Sequence, residues 1–259
     1  MRYQVIIFFI FIFSKVAAQS DGVLKLYTPE TYKSTISGNW YFESGTFVYL
    51  ESNFAYQDGF YIRDFSPFNN LNYVDARLGV QFQISDKWSG GLSQKLAKKE
   101  VNGLSYTEFN LVHQGKIKSL DFLKQASLEY KKHLSTNLND LGILSLFGGL
   151  HKGFKVKSRQ LGVMVSYRAF KIKELGGDEY SIYKKRFINK TILRVDAYIE
   201  AFKGIYVGLF ALRDTEYYPT MNAGPNDRLN LVTPTYGVSL NFVINGKNRL
   251  NALPGMLPL

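Results

Sequence analysis

Three histidines, one alternating set of charges and the lack of any cysteine bound the chemistry open to this 259-residue chain. Hydrolysis of an ester or amide needs a nucleophile or activated water beside a histidine that a further polar group orients. His133, Ser135 and Asp140 make such a grouping near a candidate external rim: His133 ends one strand and Asp140 opens the next. The same residue types are ordinary in a polar turn. His113 and His151 fall near the opposite rim, where interfacial packing is the expected role. No histidine pair has metal-site spacing. Without cysteine there is no thiolate ligand, disulfide scaffold or lipid-modified N-terminal cysteine. No cofactor, metal or catalytic residue is assigned.

The second chemically able set is Asp75, Arg77, Gln81, Lys95, Glu108, Glu129, Arg168, Arg194, Asp196 and Glu200. Each occupies a polar position in a segment that alternates polar and apolar residues, so each faces the polar side of a strand. Burying a lone charge is costly, so such groups pair or stay wet. Lining a closed barrel little wider than eight strands, they are expected to form an ion-paired, largely occluded interior. A narrow polar pore with a selective charged ring is the alternative.

The alternation is clearest from Tyr73 to Ile84. Every even position from 74 to 84 is apolar, and the odd positions include Asp75, Arg77, Gln81 and Gln83. The run matches the roughly 9–11 residues of a tilted strand crossing a bilayer. Similar segments are expected near 46–56, 88–97, 104–114, 120–131, 141–150, 160–170, 192–200, 204–212 and 235–243, giving about ten strands, within a range of 10–12. Short links such as Ser85-Asp86-Lys87 and Ala201-Phe202-Lys203 alternate with long ones such as 57–71, 171–191 and 213–234. Membrane barrels alternate short periplasmic turns with longer external loops. An even count would return both termini to the periplasm.

Residues 1–18 read as a secretory address. Arg2 is basic, Val5 to Phe13 is an unbroken apolar run, and Val16 and Ala18 stand where a signal peptidase reads. Formal charge is +11; Arg2 and Lys15 leave with the leader, which holds no acid, so the remainder carries +9. Export and the lack of a basic-aromatic recognition motif argue against nucleic acid. The 18 tyrosines and 20 phenylalanines suit aromatic girdles at two membrane interfaces. External basic residues, including Lys184, Lys185 and Arg186, suit lipopolysaccharide phosphates or an acidic partner. Tyr217 and Tyr218, on a long loop, suit partner contact.

With these segments in place, the chain resembles bacterial outer-membrane β-barrel proteins. The leader, the repeated period of two and Tyr236-x-Val238-x-Leu240-x-Phe242 carry the resemblance. That last pattern is similar to the closing-strand signal read by the barrel-assembly machinery, though 17 residues follow Phe242. The Ala18-Gln19 junction and the Asn, Lys and Tyr-rich style look like proteins of the Bacteroidota. No specific family, and so no functional residue, follows from the resemblance.

The expected fold is therefore all-β: a single antiparallel up-and-down transmembrane barrel. Residues 1–18 are a cleaved leader, 19–45 a periplasmic extension, 46–244 the barrel and 245–259 a periplasmic tail. The expected role is a non-enzymatic structural or accessory subunit of an envelope assembly in the bacterial outer membrane. Its expected partners are outer-membrane lipid, lipopolysaccharide and other proteins of that assembly. A narrow channel for small solutes is the first alternative and a membrane-embedded hydrolase the second. A secreted soluble barrel holding a lipid is disfavoured by the loop parity.

Overall fold

A computed structural model describes residues 23–28, 30–57, 71–99, 102–136, 138–176, 186–219 and 228–245. Among them every regular element is a strand: β1 (Val23–Tyr27), β2 (Thr31–Tyr41), β3 (Phe47–Gln57), β4 (Leu71–Gln83), β5 (Trp88–Lys99) and β6 (Asn102–Ile117), then β7 (Leu120–His133), β8 (Leu141–Val156), β9 (Arg159–Glu174), β10 (Lys190–Phe202), β11 (Ile205–Pro219) and β12 (Arg228–Ile244). Each strand from β2 to β12 pairs with the next in antiparallel register. The sheet then closes on itself where β12 pairs with β2 in parallel.

β1 and β2 are two halves of one stave, since both run parallel to β12. Tyr27 pairs with Val232 and Thr31 with Thr235, so the first stave spends four steps where β12 spends three. The extra residue is a bulge around Thr28, whose amide donates to the Val232 carbonyl at 3.0 Å and whose Oγ1 bonds Thr233 Oγ1 at 2.8 Å. The barrel therefore has eleven staves. Paired residues followed once around the wall from Tyr41 lead back to Leu26, 15 residues earlier in the same stave. A stagger of this kind tilts the strands by roughly 35–45°.

Three expectations are corrected. The wall has eleven staves rather than ten. Thr31–Tyr41 is part of the wall, not of an extension covering 19–45. With an odd count the first and last staves run the same way, so Val23 lies at one rim and Ile244 at the other. The even-count reason for placing both termini on one side is thereby lost. The leader 1–18 and the tail beyond 245 lie outside the described residues.

One rim carries tight turns at 42–46, 84–87, 118–119, 157–158 and 203–204; at the other lie the strand ends Gln57 and Leu71, Lys99 and Asn102, His133 and Leu141, Glu174 and Lys190, and Pro219 and Arg228. The wall is inverted relative to a soluble protein. Outward positions are apolar and exposed, with Phe109 and Leu128 each at 59% and Leu78, Leu96, Leu144, Val165 and Leu209 alongside. Inward positions are buried and largely polar, among them Thr35, Asn53, Asp75, Arg77, Glu108, Ser127, Ser166, Arg194 and Asn241. The period of two along each strand makes this separation automatic once the sheet closes.

Candidate functional site

The lumen is the place where charged side chains converge. β6 projects Glu108 into its centre, 3% exposed. Arg77 of β4, 5% exposed, places Nη1 at 3.4 Å from Glu108 Oε2. Arg168 of β9, 8% exposed, places Nη2 at 3.9 Å from Oε1. Gln125 of β7 donates Nε2 to Oε1 at 3.1 Å. Glu129 is directly opposite Glu108 in register, and like charges so placed repel. The guanidinium groups offset that repulsion, and Lys95 stands among Arg77, Glu129, Asp75 and Glu51. Arg168 also lies over the rings of Phe147 and Phe170, at 5.8 and 5.6 Å.

A second network adjoins it. Thr35 donates to Asn53 Oδ1 at 2.8 Å; Asn53 Nδ2 donates to Glu51 Oε1 at 2.6 Å and Asp75 Oδ1 at 2.9 Å; Tyr73 Oη donates to Asp75 Oδ2 at 2.6 Å. Arg194 and Asp196, two residues apart on one face of β10, pair through Nε and Nη2 at 2.6–2.9 Å. Arg194 stacks on Phe210 at 4.1 Å. Gln81 Nε2 donates to Ser89 Oγ at 3.0 Å.

Towards the turn rim the lumen is filled by large side chains. Tyr41, Phe47 and Tyr49 pack together with Val243, and Val112, Leu123 and Met164 pack with Phe147. Inward glycines make the room. A Cβ on Gly79 would strike the Tyr49 ring, one on Gly162 the Tyr198 ring, and one on Gly237 the Phe210 ring. His151, buried on β8, bonds Asp121 Oδ2 through Nδ1 at 3.2 Å and Tyr198 Oη through Nε2 at 2.6 Å. Tyr198 packs edge-on against Tyr206.

Of the ten expected lumen residues, Asp75, Arg77, Gln81, Glu108, Arg168, Arg194 and Asp196 are buried on the inward face. Lys95 and Glu129 are half-buried there, with Lys95 Nζ 4.0 Å above the Tyr106 ring. Glu200 sits at the turn rim instead, where its Oε1 accepts from the Gly204 amide at 3.2 Å. Lys33, Glu51 and Asn53 join the lumen although the sequence reading did not single them out. Parity with Thr35, Asn39 and Tyr49 on the same strands was the available signal. His151 is inward and hydrogen-bonded rather than interfacial, and its parity with Ser145 carries that signal. His113 does face outward, packed with tilted rings between Trp88 at 4.6 Å and Phe122 at 5.6 Å.

The hydrolase grouping is not assembled. Ser135 Oγ accepts from the Gly103 amide at 2.6 Å, which fastens the segment after β7 to the start of β6. Asp140 accepts from the Tyr130 hydroxyl and, at 3.2 Å, from the His133 backbone amide. The Tyr130 hydrogen bond holds the Asp140 carboxyl below the usual carboxylate range. Among the described residues no three of His, Asp and Glu could together hold a metal. Tyr217 and Tyr218 are strand residues of β11, paired with Asn230 and Leu229, not parts of a long loop. Tyr217 Oη bonds Thr191 Oγ1 at 2.9 Å under the Arg186 guanidinium. Lys184 and Lys185 lie outside the described residues. Tyr236, Val238, Leu240 and Phe242 fall on the outward face of β12, the strand that closes the barrel.

A closed β-sheet with an apolar outer wall and a polar, ion-paired interior defines a barrel of the outer-membrane type. No protein-family model and no curated protein matches the chain. Among solved structures it is similar to the NanC porin, at 13% identity and a TM-score of 0.47, over 82% of this chain and 96% of that one. It is also similar to a bacterial polysaccharide outer membrane secretin, at 12% identity and a TM-score of 0.42, over 77% of this chain and 75% of that one.

Proposed function

We propose that this chain is a non-enzymatic barrel of the bacterial outer membrane with a lumen sealed by its own side chains, acting as a structural or accessory subunit of an envelope assembly. The observation that carries the reading is the burial of Arg77, Glu108 and Arg168 at the centre of the lumen, backed by aromatic rings seated on inward glycines. An open pore keeps such charges wet. A second reading, a narrow solute channel, draws on the half-buried Lys95 and Glu129, which stand opposite Arg77 and Glu108 in register. Outward Tyr236, Val238, Leu240 and Phe242 serve as the assembly signal on the closing strand.

Single-channel recording in a planar bilayer separates the two readings. A sealed subunit passes no resolvable current, and a mild-detergent pull-down recovers it with fixed partners. Steady conductance whose ion selectivity changes on Arg77→Ala or Arg194→Ala would establish the channel instead.

A further inference from the structure

The turn rim is not evenly charged. Residues 116–124 and 152–160, which form the turns of the β6–β7 and β8–β9 hairpins, carry Lys116, Lys118, Lys124, Lys152, Lys155, Lys157 and Arg159 against one acid, Asp121. That acid is engaged by His151 at 3.2 Å and Lys116 at 3.8 Å. The Lys152 ammonium donates to the Ser119 carbonyl at 3.0 Å and ties the two hairpins into one surface. Pairing of β8 with β7 ends at His151 and that of β9 with β10 at Leu161, so 153–160 project past their neighbours as a free ribbon, exposed throughout. Phe154 and Val156 on that ribbon are exposed apolar residues among its cations.

Below this basic edge, on the outer wall, lies an aromatic cluster. Trp88 packs against His113, and His113 against Phe122, each with the rings tilted to one another. Lys124 Nζ sits 5.3 Å over the Phe122 ring. Aromatic rings at the depth of the headgroups, with flexible cations reaching past them, fit a bilayer surface that bears phosphate. An acidic protein would use the cations but not a ring cluster turned outward onto the wall. On the opposite side of the barrel the described residues 40–46 of the same rim hold Trp40 on the outer wall with Phe42, Glu43 and Ser44, and none of these seven is a cation.

We propose that the turn rim across β5–β9 is a binding site for anionic phospholipid headgroups in the leaflet that meets it. The proposal rests on the reading of the chain as a membrane barrel. Each cation near such a surface strengthens attachment to it on the order of fivefold, so the seven together orient and retain the barrel against that leaflet.

Trp40 and Trp88 are the two tryptophans of the chain, and they make the test internal. Trp40→Phe leaves Trp88 as the reporter on the basic side; Trp88→Phe leaves Trp40 as its control. Each variant is reconstituted in phosphatidylcholine vesicles containing an equal fraction of brominated phosphatidylglycerol or brominated phosphatidylcholine. Trp88 fluorescence is expected to be quenched about twofold more by the anionic lipid. Trp40 should not discriminate, and Lys124→Gln with Lys152→Gln, Lys155→Gln and Lys157→Gln should abolish the Trp88 preference. Equal quenching of Trp88 by both lipids leaves the barrel in the bilayer and overturns the site. Equal quenching joined to salt-sensitive binding of a polyglutamate peptide would assign the edge to an acidic protein, again overturning it. No quenching by either lipid would overturn the membrane reading itself.

Discussion

Glu108 holds the centre of the lumen because three donors reach it from three strands: Arg77 on β4, Arg168 on β9 and Gln125 on β7. Removing one member of a buried charge network leaves its partners desolvated and short of their counter-charge, a loss of about 3–5 kcal/mol. Glu108→Ala should therefore lower stability by that order in urea titration. Ser158→Ala, on an exposed turn, should stay within about 0.5 kcal/mol. Similar losses for the two would remove Glu108 from its keystone position. The alternation of β4, β6 and β9 made the inward direction of these residues legible in the sequence. Which acid meets which base was not legible, because Arg77 and Glu108 lie on strands separated by β5 and meet only through wall curvature.

Strands and turns show where the pattern is strong and where it fails. Segments such as Tyr73–Ile84 carry an apolar residue at every outward position, and the corresponding strand, β4, lies where the pattern puts it. β2 escaped notice because Ser34 and Gly38 interrupt its outward series Tyr32, Ile36 and Trp40. Its partners supply what its own pattern lacks, since it is hydrogen-bonded on one side to β3 and on the other to β12. Turns impose tighter local demands. Gly204 has φ of 76°, and a Cβ there would lie 2.6 Å from the Val243 carbonyl oxygen. Gly204→Ala should cost at least about 1–2 kcal/mol from the left-handed backbone alone, read as a lower midpoint in heat-modifiability gels. An unchanged midpoint would mean that this turn tolerates a side chain.

At the scale of the molecule the parallel seam is the deciding feature. β12 has β11 on one edge and the first stave on the other, so the barrel closes only if residues 23–41 take their place. Deleting residues 23–41 should leave two sheet edges without partners and abolish the compact, heat-modifiable form in refolding assays. An extension outside the wall could be removed without that consequence, so normal folding of the truncated chain would refute the seam.

The amino-acid order by itself determined the class of architecture. Apolar and polar residues alternate every second position, strand after strand, so any closed sheet built from them presents grease on one side and charge on the other. Tertiary structure alone decided the stave count, the parallel closure, the pairing of lumen charges and the filling of the turn half by rings seated on glycines. Side-chain direction is a local property fixed by backbone period. Closure and charge pairing depend on the stagger of all eleven staves, a quantity that no single segment encodes.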